Sequence, residues 1–81
     1  MENKTIGKLL KETRTKNNIP LEDVANKTKI NINILRALEK ENIETLPNKT
    51  YVKGFVKNYA KTIGLDLNQA IEAYELLYKE N

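Results

Sequence analysis

Apolar residues recur at helical spacing in five successive stretches of this chain. Ile6, Leu9, Leu10 and Thr13 share one face of a helix predicted from Ile6 to about Lys16, with Thr5 as its N-cap. Asn17, Asn18 and Pro20 break it, since paired asparagines suit a turn and proline cannot continue a helix. Pro20 suits the start of a second short helix, "LEDVANKT". There Leu21, Val24 and Ala25 face inward, and Glu22 and Asp23 sit where the helix dipole favours acids. Ile30 plugs the next turn, Asn31 caps a third helix, "INILRALEKE", and Leu35 and Leu38 are its core positions beside Ile34 and Ala37. An irregular connector, "NIETLPNK", follows, anchored by Leu46 and stopped by Pro47. The fourth helix runs from about Lys49 to Ile63 and ends at Gly64. Asp66 and Gln69 form a capping-box-like pair at the head of a fifth helix, which runs to about Tyr78 with Leu67, Ile71, Tyr74 and Tyr78 on one face. No segment alternates as a strand does. The fold class predicted is all-α: a five-helix bundle, one domain over residues 1–81, with helices two and three as a helix-turn-helix.

The fourth helix carries two series at four-residue spacing, the aromatics Tyr51, Phe55 and Tyr59 and the lysines Lys49, Lys53, Lys57 and Lys61. At about 100° per residue, Val56, Tyr59 and Ile63 fall within about 40° of Val52. They form the core stripe, so Tyr59 is structural. Tyr51 and Phe55 lie on one flank, as core-edge packing against the connector or as a contact patch. Lys53, Lys57 and Lys61 lie on the opposite flank and outer face, with Lys49 near the core edge. They form either a solvated face or a surface that steers an acidic partner or anionic lipid. Gly54, on the outer side, costs about 1 kcal/mol relative to alanine. It reads as tolerated drift or as room for a partner backbone.

Composition removes several classes of chemistry. The 81 residues contain no cysteine and no histidine. Zinc–thiolate sites, imidazole catalysis and Ser-His or Cys-His nucleophiles are therefore excluded by inventory. No nucleophile–base pair, metal cluster or phosphate loop is visible, so no enzyme, metal or cofactor is expected. A net charge of +3 is mildly basic and does not by itself demand nucleic acid. No apolar run approaches the roughly 20 residues of a membrane span.

A DNA-reading helix-turn-helix would place the third helix in the major groove, with Asn31, Asn33 and Arg36 toward base edges. Glu22 and Asp23 would oppose phosphate at the head of helix two, while Lys27, Lys29 and Lys40 partly offset them. A structural scaffold and a DNA reader both fit these residues.

The first half, "LEDVANKTKI", then "LRALE", is shared with many phage-repressor-like helix-turn-helix domains. The second, "LPNKTYVKGFVKNYAKTIGLD", is more specific. Together they resemble the cytoplasmic helix-turn-helix domain of the RodZ family of bacterial cell-shape proteins, over roughly residues 5–78. The resemblance implies a non-enzymatic module that binds the actin-like filament protein MreB on the cytoplasmic face of the membrane. It also implies a contact surface on the fourth helix built on an aromatic pair, which falls here on Tyr51 and Phe55, with Lys53 and Lys57 as polar rim. Such proteins continue into a juxtamembrane segment and a transmembrane helix. The expectation is therefore an excised domain that reaches the membrane only through a segment outside this chain. Two positions depart from the pattern. Pro20 stands where relatives often have a serine cap, and Lys29 stands where repressors often have glycine, which moves the turn away from the repressor pattern.

Overall fold

A computed structural model describes residues 4–79, in which five α-helices and one 3-10 turn enclose a single core, with no strand among the described residues. Helices α1 (Ile6–Lys16), α2 (Leu21–Thr28) and α3 (Ile32–Lys40) are followed by a 3-10 turn at Ile43–Thr45, then α4 (Lys49–Ile63) and α5 (Leu67–Leu77). The 3-10 turn is the one element the apolar pattern does not predict; three residues are too few to show a period.

The helix ends are fixed by the side chains that the sequence suggests. Thr5 accepts from the backbone N–H of Lys8, Asn31 from that of Asn33 and Asp66 from that of Gln69. Pro20 stands at the N-cap of α2 and makes no side-chain cap. Gly64 closes α4 at φ +83°, a left-handed conformation that glycine adopts without penalty. Lys29 closes α2 in the same region, at φ +63°. The helix-turn-helix turn thus keeps the left-handed residue that a glycine would supply, contrary to the expected departure. A non-glycine residue there costs on the order of 1 kcal/mol. Thr28 supports the turn, donating to the Val24 carbonyl at 2.7 Å and accepting from the Ile30 N–H at 3.2 Å.

Leu10, Val24, Leu35, Leu38, Val52, Val56 and Tyr59 are wholly buried at the centre, with Ile6 and Ile63 nearly so. On α5 the expected face needs correction. Leu67 is exposed, and the buried stripe is Ala70, Ala73 and Tyr74, with Ile71 and Tyr78 only half-buried. Small residues let α5 lie close against α4, so its core contact runs through alanines that a search for large apolar residues passes over. Leu46 packs against the core but remains half-buried.

Gly7 explains how α1 meets α3. A Cβ there would stand 2.4 Å from the Glu39 carbonyl oxygen, so only glycine permits this approach. The Gly7 N–H also donates to the Glu41 carboxylate at 2.8 Å, which satisfies an otherwise unpaired donor in the first turn of α1.

Candidate partner-binding surface

α4 begins where Asn48 accepts a hydrogen bond from the Thr50 N–H at 2.8 Å. Its first turn is held from outside by Tyr74 of α5, whose hydroxyl donates to the Lys49 carbonyl at 2.6 Å. Tyr74 also packs against Tyr78, with ring centroids 5.4 Å apart. Val52, Val56, Tyr59, Ala60 and Ile63 point inward and are buried, as the core stripe requires.

The two members of the aromatic pair differ. Tyr51 is 67% exposed, whereas Phe55 is half-buried and packs against the core. The pair therefore forms a step on the α4 flank: one ring on the molecular edge and one standing clear of it. Nothing lies within 4 Å of the position a Cβ on Gly54 would take, so the backbone beside the pair is open. Lys53, Lys57 and Lys61 are exposed, and none of the three forms an ion pair among the described residues.

The opposite end of α4 is tied into the fold by a polar cluster that sequence reading missed. The Arg14 guanidinium makes a two-pronged contact with Glu39, Nε to Oε2 at 2.8 Å and Nη2 to Oε1 at 3.1 Å. It also donates to the Tyr59 hydroxyl and to the Ile19 carbonyl, each at 3.1 Å. Tyr59 in turn donates to the Glu39 carboxylate. One cluster thereby joins α1, α3, α4 and the turn before α2. The Arg14 and Glu39 side chains are 13% and 8% exposed, so neither charge could be carried there unpaired without a large penalty. The hydrogen bond to Glu39 holds the Arg14 guanidinium above its ordinary pKa. Burial, and then the Glu39 carboxylate, push the Tyr59 phenol well above its usual value. A sequence signal did exist: Arg14 and Glu39 each follow a core leucine, Leu10 and Leu35, by four residues, so opposite charges sit in two apolar stripes.

On α3 the residues considered for base reading are exposed at Asn31, Asn33 and Arg36 and partly occupied. The Asn31 side chain caps its own helix at 2.7 Å, and Arg36 donates to the Asn33 side chain at 3.3 Å. Glu22, Lys29, Asn31 and Asn33 line an open depression of about 550 Å³ between α2 and α3. No group of three or more acidic residues among the described residues could hold a metal ion.

A family model of the helix-turn-helix domain matches residues 9–70. The chain is 33% identical over 75 residues to the cytoskeleton protein RodZ of Streptococcus pneumoniae (strain ATCC BAA-255 / R6), covering 93% of this chain and 27% of that protein. It is 42% identical over 55 residues to the uncharacterized membrane protein YmfM of Bacillus subtilis (strain 168), covering 68% of this chain and 19% of that one. The solved structure of YmfM from Staphylococcus aureus, a membrane protein with a proposed DNA-binding role, superposes with a TM-score of 0.83 at 32% identity. That match covers 96% of this chain and 95% of the solved one. The chain thus spans only 27% and 19% of the length of the two curated relatives.

Proposed function

The chain belongs to the helix-turn-helix domain family and is RodZ-like within it, and from that premise we propose that it is a protein-binding module whose partner is an actin-like filament protein of the MreB kind. It would work without catalysis, on the cytoplasmic side of the membrane, as part of a longer cell-shape protein. The observation that carries this reading is Tyr51: a large aromatic side chain, 67% exposed, on the helix whose motif is most RodZ-like. An aromatic residue standing on a rigid helix offers large contact area at little rotamer cost, the usual make-up of an interface anchor. Phe55 supports it from the half-buried side of the step. Lys53 and Lys57, on the opposite flank, add a positive field that draws in an acidic partner.

Replacing Tyr51 and Phe55 by alanine together should abolish co-sedimentation with MreB filaments while helical circular dichroism survives. Unchanged affinity in the double variant contradicts the anchor assignment, and loss of helical signal identifies the pair as core instead.

DNA binding is the second reading, favoured by the exposure of Asn33 and Arg36 and by the role proposed for the Staphylococcus aureus relative. It requires duplex binding that weakens steeply with salt and depends on sequence. A titration without binding at low salt removes it.

A further inference from the structure

The outer face of α4 is more basic than a rim requires. The helix holds four lysines and no acidic residue, whereas α5 beside it carries Glu72 and Glu75 and no basic residue. Lys53, Lys57 and Lys61 rise on one side of α4 in successive turns, exposed and without an ion pair among the described residues. Two ion pairs form among the described residues, Lys4 with Glu12 and Arg14 with Glu39, so what sets this row apart is its alignment on one side of a helix that carries no acidic residue. At about 100° per residue, the centre of this row lies about 140° around the helix from the centre of the Tyr51–Phe55 flank. A flat body covering one does not cover the other. Steering of a protein partner needs only the field of these charges, so the row's own contact is left to something else.

We infer that the Lys53–Lys57–Lys61 row is the face that rests on an anionic lipid surface. The inference builds on the reading that this domain works beside a membrane. Three features commit the row to lipid. Lysine ammoniums are compact point charges suited to a diffuse layer of headgroup phosphates, and the row contains no arginine fork for bidentate recognition. Gly54 borders the row on the side toward the aromatic flank, carries no side chain and has open space over it, so no bulky group stands beside the lysines there. The row also belongs to α4, a different helix from the one whose residues a DNA reading would use. With the lysine face on the headgroups, the Tyr51 flank is directed away from the membrane at an angle, open to a filament lying above the same surface.

The test is sedimentation of the domain with phosphatidylcholine vesicles that contain or lack phosphatidylglycerol. Each lysine near such a surface strengthens partitioning roughly fivefold, so three contribute on the order of a hundredfold. The variant with Lys53, Lys57 and Lys61 all changed to Gln should lose most binding to the anionic vesicles. The variant with Lys8, Lys11 and Lys16 changed to Gln removes the same charge from exposed positions on α1 and should lose much less. Wild-type binding should also fall as salt is raised and be absent on pure phosphatidylcholine. Equal losses in the two variants would show a net-charge effect and overturn the assignment. So would duplex-DNA binding that falls in the lysine-row variant as far as vesicle binding does. A lysine-row variant that keeps vesicle binding but loses MreB filaments would make the row a protein rim instead. Retained filament binding with lost vesicle binding supports the lipid face, and lost vesicle binding in a domain that never bound filaments leaves this inference standing while the partner reading falls.

Discussion

Tyr51 and Tyr59 are the same residue about two turns apart on one helix, and they lead opposite lives. Tyr59 is wholly buried, bonded to Arg14 and Glu39, and part of what holds three helices together. Tyr51 is 67% exposed and makes no side-chain hydrogen bond among the described residues. Helical phase makes the difference: eight residues bring Tyr59 onto the stripe of Val52 and Val56, while Tyr51 stands on the flank. A residue of this cost that the fold does not use is the best available sign of an interface, and the polar cluster around Tyr59 shows what a used tyrosine looks like.

The contrast breaks most sharply at Tyr59. Tyr59→Ala should cost about 3–5 kcal/mol, from cavity and lost packing, leaving Arg14 and Glu39 short of a partner. Against a total of about 5–15 kcal/mol for a small domain, urea denaturation should show a protein near the edge of folding. Gly7→Ala comes next. Its methyl would meet the Glu39 carbonyl, and a shift of α1 away from α3 should cost about 1–3 kcal/mol by the same measurement. Gly54→Ala should act in the opposite direction, raising stability by about 1 kcal/mol, because helix propensity improves and nothing lies nearby to clash.

Tyr59→Phe sharpens the comparison by removing only the hydroxyl, at about 1 kcal/mol near neutral pH. It should also alter behaviour in base. Folding raises the Tyr59 pKa above its ordinary 10.0, so this contribution is complete below pH 10 and is lost as pH climbs toward the folded value. Tyr74 and Tyr78 are shifted upward too, chiefly by burial. Stability should therefore fall above pH 10 in the native domain and fall less steeply, though still measurably, in Tyr59→Phe. The smallest effect belongs to Tyr51→Ala, which should change stability by less than about 0.5 kcal/mol.

Much of this was legible in the sequence because it depends on local period and on caps. The bounds of α4, Asn31 and Asp66 as caps and the burial of Val52, Val56, Tyr59 and Ile63 all follow from spacing along one helix. What was not legible depends on which helices meet. Gly7 reads as an ordinary helix glycine until α3 is brought against it. Arg14 and Glu39, 25 residues apart, each follow a core leucine by four positions, but only the meeting of α1 and α3 shows that they pair. Leu67 reads as core by size, yet it is exposed and α5 turns Ala70 and Ala73 inward instead. The step between Tyr51 and Phe55 has the same origin: spacing puts both on one flank, and only the neighbouring helices decide how far each is covered.

The central claim is that the exposed Tyr51 flank of α4 is a binding surface and its buried stripe is structure. The measurement that tests it most directly is the affinity of Tyr51→Ala for MreB filaments by co-sedimentation, with urea denaturation of the same preparation. The expected result is an affinity at least tenfold weaker, as an anchor residue demands, with a denaturation midpoint unchanged from the native domain. Native affinity in Tyr51→Ala, or a weakened affinity matched by lost stability, would contradict it.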